Sequence, residues 1–500
     1  MFCGVSLALI VAIVGLALVF LKYRYNYWAR RGVVHDKPTW LKGNIGTVGK
    51  TTTICEPIRD FYNKYKNKSP FGGFYFPLRH VALLLDLELV KQVLIKDFGN
   101  FAHRGNYYNE VDDPISAHLF NLDGPGWKEM RTKLTPTFTS LKMHQMLPTV
   151  VEIGERFVAV IQRDVDASLA ISAPETPIEM KDLLARFTTD VIGSCAFGLD
   201  CNSLANPNVE FRVFGRRVFT ERRHGRLAFA FLQSFPKLAR HLHIKLARDD
   251  VSDFYMRVVR ETLEYRDQHK VQRNDFLNLL MELRKESGGG LTFNQIAAQA
   301  FVFFLAGFET SSSTMGFALY LLAMHPETQK RAREEVQRVW AKYGEFSYEA
   351  YKEFKYIQQV IYETMRMYSI APILARKAIN DYEVSGTSHI IEAGTTVIIP
   401  VDAIHYDPDI YPEPERFDPD RFAPEAVEQR HPMSWLPFGA GPRNCIGLRF
   451  GEMQSVIGLA MLLKHFQFSA AKETPIPLEI DKESFILASK GGIVLNVQSL

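Results

Sequence analysis

Cysteine is scarce in this sequence. Cys3, Cys55, Cys195, Cys201 and Cys445 are the only five in 500 residues. They are odd in number and too scattered for a disulfide framework, and no pair has the C-x-x-C spacing of a zinc site. The bulk of the chain therefore belongs in a reducing compartment. Net charge is scarce too: 59 Lys and Arg against 56 Asp and Glu leave +3. No arginine-lysine block relieves that balance, which excludes nucleic acid as a partner. Low-complexity tracts, internal repeats and long Gly/Ser linkers are also missing. One large domain is the reading that remains, with a single weak seam at the glycine run 288–290 of KESGGGLTF.

Charge disappears altogether from Met1 to Leu21, MFCGVSLALIVAIVGLALVFL. As a helix this run reaches about 31 Å, enough to cross a bilayer. Lys22, Arg24, Arg30 and Arg31 follow it. A cleaved leader carries its positive charge before a shorter apolar core, so the pattern reads as a signal anchor. The positive-inside rule then leaves the rest of the chain in the cytosol. Residues 1–21 are the expected anchor, 22–45 a basic, aromatic linker suited to a membrane interface, and 46–500 the catalytic domain. No later apolar run is long enough to repeat the anchor.

The body reads as mainly helix with minor strand, an α+β arrangement. HVALLLDLELVKQVL suggests a strand followed by a helix. Thr292 and Gln295 form a T-x-x-Q capping box for a long helix that runs to about Met324. His325-Pro326 stops it, and Pro326 and Gly344 bracket the next helix. Beyond Ala371 the period changes to two: YEVSGTSHIIEAGTTVIIP suggests hairpins, and FILASKGGIVLNVQ a final one.

Cys445 lies in FGAGPRNCIG, a loop too tight and basic for an ordinary buried cysteine. Gly439 and Gly441 allow the backbone to turn toward a flat partner, and Gly447 allows a following helix to pack close. A thiolate at a helix N-terminus gains from the backbone N–H groups there. Arg443 suits an anionic group. Together these features suit a haem iron held by one thiolate, with Arg443 on a propionate. A free cysteine in a turn is the competing reading. Phe438, Gly441, Arg443, Cys445 and Gly447 satisfy F-x-x-G-x-R-x-C-x-G.

That loop resembles the haem-binding signature of the cytochrome P450 monooxygenases. The strings FFLAGFETSS and PFGAGPRNCIG resemble most the insect microsomal branch. The resemblance implies a haem b with Cys445 as axial ligand, and a buried structural triad of Glu363, Arg366 and Arg421, with Arg416 as a decoy. It implies that the long helix opens locally over the haem at Gly307, with Thr310 and Glu309 serving an oxygen-side proton relay. A threonine simply back-bonded to its own helix is the alternative. Trp127 with Arg131, Arg376 and, more weakly, Arg104 are implied propionate partners. Phe120, Phe301, Phe304, Leu305, Ala306, Ile370 and Ile373 are candidates for an aromatic-lined pocket, with ordinary core packing the competing role.

The activity implied is NADPH-driven insertion of one oxygen atom of O2 into lipophilic small molecules, either xenobiotics (insecticides, plant toxins) or endogenous hormones. NADPH acts only through a reductase; that reductase and cytochrome b5 are the implied protein partners, on the endoplasmic reticulum membrane. Lys128, Lys133, Arg443 and Arg449 are candidates for the reductase-docking face, or else are simply solvated charges. A haem-thiolate isomerase or dehydratase of the same fold, and a non-catalytic haem or lipid carrier, are the rivals. The Glu309-Thr310 pair speaks against both.

Overall fold

The computed structural model describes residues 2–171, 175–273, 275–285, 290–484 and 486–500. Gly288 and Gly289 of the expected seam lie outside the described residues. Phe2–Tyr25 forms one helix, α1. Among the described residues no helix is long and apolar enough to cross a membrane. The basic, aromatic strip that begins in the last turn of α1 joins the β-part of the molecule. Tyr25, Tyr27 and Trp28 are buried, with Trp28 edge-on to Phe71 at 6.0 Å and Tyr27 stacked on His80 at 3.5 Å. These rings line a protein core, which corrects their expected place at a membrane interface. Tyr23 and Trp40 alone of the larger ones stay exposed.

Phe71–Phe76 (β1) and Arg79–Leu84 (β2) pair antiparallel. Asp86 then starts a short helix by accepting from Leu89 N at 2.8 Å, so the strand-then-helix reading holds. Gly124–Leu134 (α2) and Ser140–Ala170 (α3) lead to a short strand, Pro177–Glu179 (β3), and to Met180–Ile192 (α4). Glu210–Thr220 (α5) and Asp249–His269 (α6) precede the long helix Phe293–Met324 (α7). Its capping box is complete: Gln295 N donates to Thr292 Oγ1 at 3.2 Å, and Thr292 N to Gln295 Oε1 at 2.9 Å. Pro326–Tyr343 (α8) follows and ends at Gly344 with a φ of 68°.

Lys355–Met367 (α9) brings the chain to Leu374–Lys377 (β4) and Thr396–Ile399 (β5). The larger sheet has the order β1-β2-β5-β4, with β5 parallel to β2 and antiparallel to β4. Leu448–His465 (α10), Phe466–Ala470 (β6) and Val494–Ser499 (β7) close the chain, and a second sheet runs β3-β7-β6. The expected final hairpin does not form. β7 pairs with β6 and β3 instead, while the preceding residues 488–490 pair with 479–481. The apolar interior has a helical core around α7 and a second core under the larger sheet. The cysteine loop touches both: Phe438 and Ile446 pack on the first and Ala440 on the second.

Candidate active site

The loop 438–447 is closed by its own backbone. Cys445 N donates to Phe438 O at 2.8 Å and Asn444 N to Gly441 O at 3.0 Å. Gly439 and Gly441 have φ of 67° and 71°, a region open to glycine. A Cβ on Gly441 would stand 1.9 Å from Leu94 O. Close passage of the 92–96 turn thus demands this glycine, rather than clearance for a flat ligand. Gly447 has room, since a Cβ there would meet only Phe138, at 3.9 Å. Close helix packing is therefore not its reason. Among the described cysteines Cys55, Cys195 and Cys201 are buried and Cys445 is exposed. Burial pushes the Cys195 thiol up to about 12. Dense protein raises Cys445 as well, but the Gly447 amide and the Arg131 and Arg104 guanidiniums act the other way.

Arginines converge behind this loop. Arg131 donates to Asn444 O at 2.9 Å and to Asn444 Oδ1 at 2.8 Å. Trp127, one turn earlier on α2, carries the Arg443 guanidinium 4.3 Å above its ring. Arg443 donates to Leu122 O at 2.6 Å and Asp123 Oδ1 at 3.0 Å. Its side chain is wholly enclosed, which removes it from any outer docking face, whereas Lys128 and Arg449 are exposed. Arg104 donates to Phe120 O at 2.8 Å and to Arg443 O at 3.4 Å. Arg376, buried on β4, has its guanidinium bonded among the described residues to its neighbour Ala375 O alone, at 2.9 Å.

Asp123 is the one carboxylate paired with this group among the described residues, and it already accepts from the Arg104 and Gly105 amides. Arg376 Nε and Arg443 Nε and Nη1 are buried without a partner. Burial first, and then the crowding of like charge, pushes Arg376 down to about 10 and Arg104 well below its ordinary value. Leftover buried cationic donors are costly. A flat ligand bearing two carboxylates would satisfy them, so these residues fit a haem and its propionates.

In α7, Ala306 is exposed and Thr310 half-buried, while Phe301, Phe304, Phe308 and residues 311–314 are buried. Past its exposed first turn, Ala306 is the one exposed residue of this helix between Ile296 and Met324. The expected local opening is not seen: the helix is continuous, and the Thr310 hydroxyl donates to Ala306 O at 2.7 Å. Gly307 serves packing instead, since a Cβ there would lie 2.7 Å from Ile192 Cδ1 of α4. Glu309 also turns to α4, where Lys181 Nζ pairs with its Oε1 at 2.8 Å.

Below the loop, Glu363 and Arg366 are fully buried and joined by two bonds of 2.7 and 2.9 Å. Arg366 also donates to His405 O at 2.9 Å and Pro414 O at 2.7 Å. Arg421 Nε stands 3.4 Å from Glu363 Oε1 as an ion pair, and its Nη2 donates to Pro412 O at 2.7 Å. Arg416 is exposed beside Glu413. His405 ties this cluster toward the cysteine loop: its Nδ1 meets Ser369 Oγ at 2.7 Å and its Nε2 accepts from Leu436 N at 2.9 Å.

A sequence profile of the family described as Cytochrome P450 matches residues 35–496. The chain belongs to the cytochrome P450 family. It is 48% identical over 508 aligned residues to cytochrome P450 6a2 of Drosophila melanogaster, covering 99% of this chain and 100% of that one. It is 47% identical over 495 residues to cytochrome P450 6A1 of Musca domestica, covering 97% and 96%. The expected insect branch is borne out, and the protein is a P450 monooxygenase with a cysteine-ligated haem b.

The pocket candidates of this P450 divide by exposure. Ala306 and Phe120 are exposed, and Leu305 and Ile373 half-buried. Phe301 and Ile370 are buried. Phe304 is fully enclosed by Phe211, Tyr255 and Phe308 at ring distances of 5.3, 5.6 and 5.2 Å, which makes it core rather than lining. Sequence reasoning missed Asp123, His405 and Lys181. Asp123 alone left a signal, in the D-G-P-G string that opens α2 just before Trp127; the other two act across elements distant in the chain.

Proposed function

We propose that this P450 monooxygenase oxidises lipophilic small molecules at a haem held by Cys445, with electrons from NADPH through a reductase. The observation that carries this reading is the accessible Cys445 in a loop backed by buried arginine donors left over after their protein contacts. Arg376 and Arg443 would hold the propionates, with Arg104 and the Trp127 face supporting Arg443, and Arg131 fixing the loop through Asn444. Haem bound there supplies O2 activation and electron transfer, which no side chain of the chain provides.

The protein's own part is orientation and proton supply. The Thr310 hydroxyl gives its hydrogen to Ala306 O, so its oxygen is left as an acceptor that would hold a water. Glu309, the next residue back, is the ionisable group from which protons reach that water. Ala306, Leu305, Phe120 and Ile373 supply apolar surface for the substrate, and Arg366 with Glu363 and Arg421 secures the ground beneath the cysteine loop. We assign α1 to the endoplasmic reticulum membrane on its charge-free sequence and the basic residues after it, with the catalytic part in the cytosol. Lys128 and Arg449 suit the reductase-facing surface, with cytochrome b5 as a further partner. Xenobiotics or endogenous hormones are the substrate classes this pocket suits.

Turnover with labelled O2 tests the reading. A panel of lipophilic compounds should yield products carrying one labelled oxygen, and only with NADPH and reductase both present. Product formed equally well without either would support a redox-neutral isomerase or dehydratase and overturn it.

A further inference from the structure

Glu309 is tied to an element that nothing else connects with the reaction. Glu179 caps α4, accepting from Lys181 N at 3.0 Å and Asp182 N at 2.6 Å. The same carboxylate accepts from Ile493 N at 2.7 Å, so the first turn of α4 is pinned to the C-terminal segment. From that turn Lys181 Nζ reaches Glu309 Oε1 at 2.8 Å and Ser312 Oγ at 2.9 Å. Ser313 Oγ adds a longer bond to the same carboxylate oxygen, at 3.4 Å.

The Lys181 and Glu309 side chains are 14% and 15% exposed. The pair is enclosed enough for its geometry to be fixed, yet keeps an edge that water reaches. Among the described residues Lys181 is the only cation paired with Glu309. The contact is held rigid on both sides. Gly307 lets Ile192 of α4 approach α7, and Thr188 Oγ1 donates to Phe308 O at 2.9 Å.

We propose that Lys181 is a positioning residue for proton delivery at Thr310: it holds the Glu309 carboxylate at the contact of α4 with α7, beside solvent. The inference rests on reading Glu309 and Thr310 as the proton path. A water at the edge of the pair gives a proton to the carboxylate, which passes it on to the water that the Thr310 oxygen holds as acceptor. A further proton from solvent restores the starting state, and neither side chain is oxidised or reduced.

The test uses the full-length holoenzyme with reductase and four variants: Lys181→Met, Lys181→Arg, Glu309→Gln, and the double variant Lys181→Met/Glu309→Gln. All should keep the thiolate-type reduced carbon-monoxide spectrum and the substrate-binding shift. Lys181→Met and Glu309→Gln should each lower product per NADPH about tenfold, with peroxide rising in its place. Lys181→Arg should restore coupling to within about twofold, since it keeps the charge. The double variant should be no worse than either single one. Independently of turnover, the two single changes should be non-additive in urea unfolding, as expected for residues in contact. If Lys181→Met stays coupled while Glu309→Gln does not, or if their unfolding effects simply add, the inference fails and the proton path stands. If Glu309→Gln itself stays coupled, the proton path fails and the inference falls with it.

Discussion

Leu94 O leaves no room for a side chain at position 441, where the backbone also lies at a φ of 71°. Gly441→Ala should therefore cost about 3 kcal/mol or more, from the left-handed backbone and the clash together. Chemical unfolding would measure it, and the haem-loaded fraction should fall in parallel. His405 makes a different kind of prediction. Burial beside Arg366 pushes it down to about 3, and burial does the same to His118 and His80. The unfolded chain takes up these protons below about pH 6.5 and the folded one does not until about pH 3. Their contribution is therefore fully present above pH 6.5 and is lost as pH falls toward 3, at about 1.4 kcal/mol per pH unit for each histidine. His405→Gln should reduce the slope of unfolding free energy between pH 6 and pH 4 by about that amount. An unchanged slope would show that His405 takes up its proton equally in both states. At this scale the sequence was legible where chemistry is local. Cys445 with its loop and the Glu363–Arg366 pair were readable, whereas Asp123 beside Arg443 and His405 beside Arg366 were not, because both reach these arginines from remote parts of the chain.

Between elements, the contact of α4 with α7 depends on Gly307. Gly307→Val should destabilise the protein by about 1–3 kcal/mol through overpacking against Ile192. Ile192→Ala in the same chain should recover part of that loss, and thermal unfolding of the single and double variants would show whether it does. Additive losses would place the strain elsewhere. The long helix itself was legible to the residue, since its capping box and the His325-Pro326 stop are signals within a few positions of each end. The reason for its glycine was not, because it lies on α4, over a hundred residues earlier in the chain. The same gap misled the reading of the last strand. β7 alternates as a hairpin arm should, yet its partners are β6 and β3, and an alternating pattern names no partner.

On the scale of the molecule, a helical core and a sheet core meet at the cysteine loop, and α1 leads into the sheet core through Tyr25, Tyr27 and Trp28. A chain starting at residue 22 should therefore keep these aromatics and bind haem, but leave the membrane pellet for the supernatant in high salt. Continued sedimentation with membranes would show that α1 is not the sole attachment. Family membership was legible from a few motifs because the haem constrains the residues around it, while the substrate leaves no comparable signature in single side chains. The central claim is that Cys445 holds the haem iron, and the reduced carbon-monoxide difference spectrum tests it most directly. The wild type, Cys55→Ser, Cys195→Ser and Cys201→Ser should all show the red-shifted thiolate Soret band, and Cys445→His should lose it. A thiolate band that persists in Cys445→His, or is missing from well-folded wild type, would contradict the account.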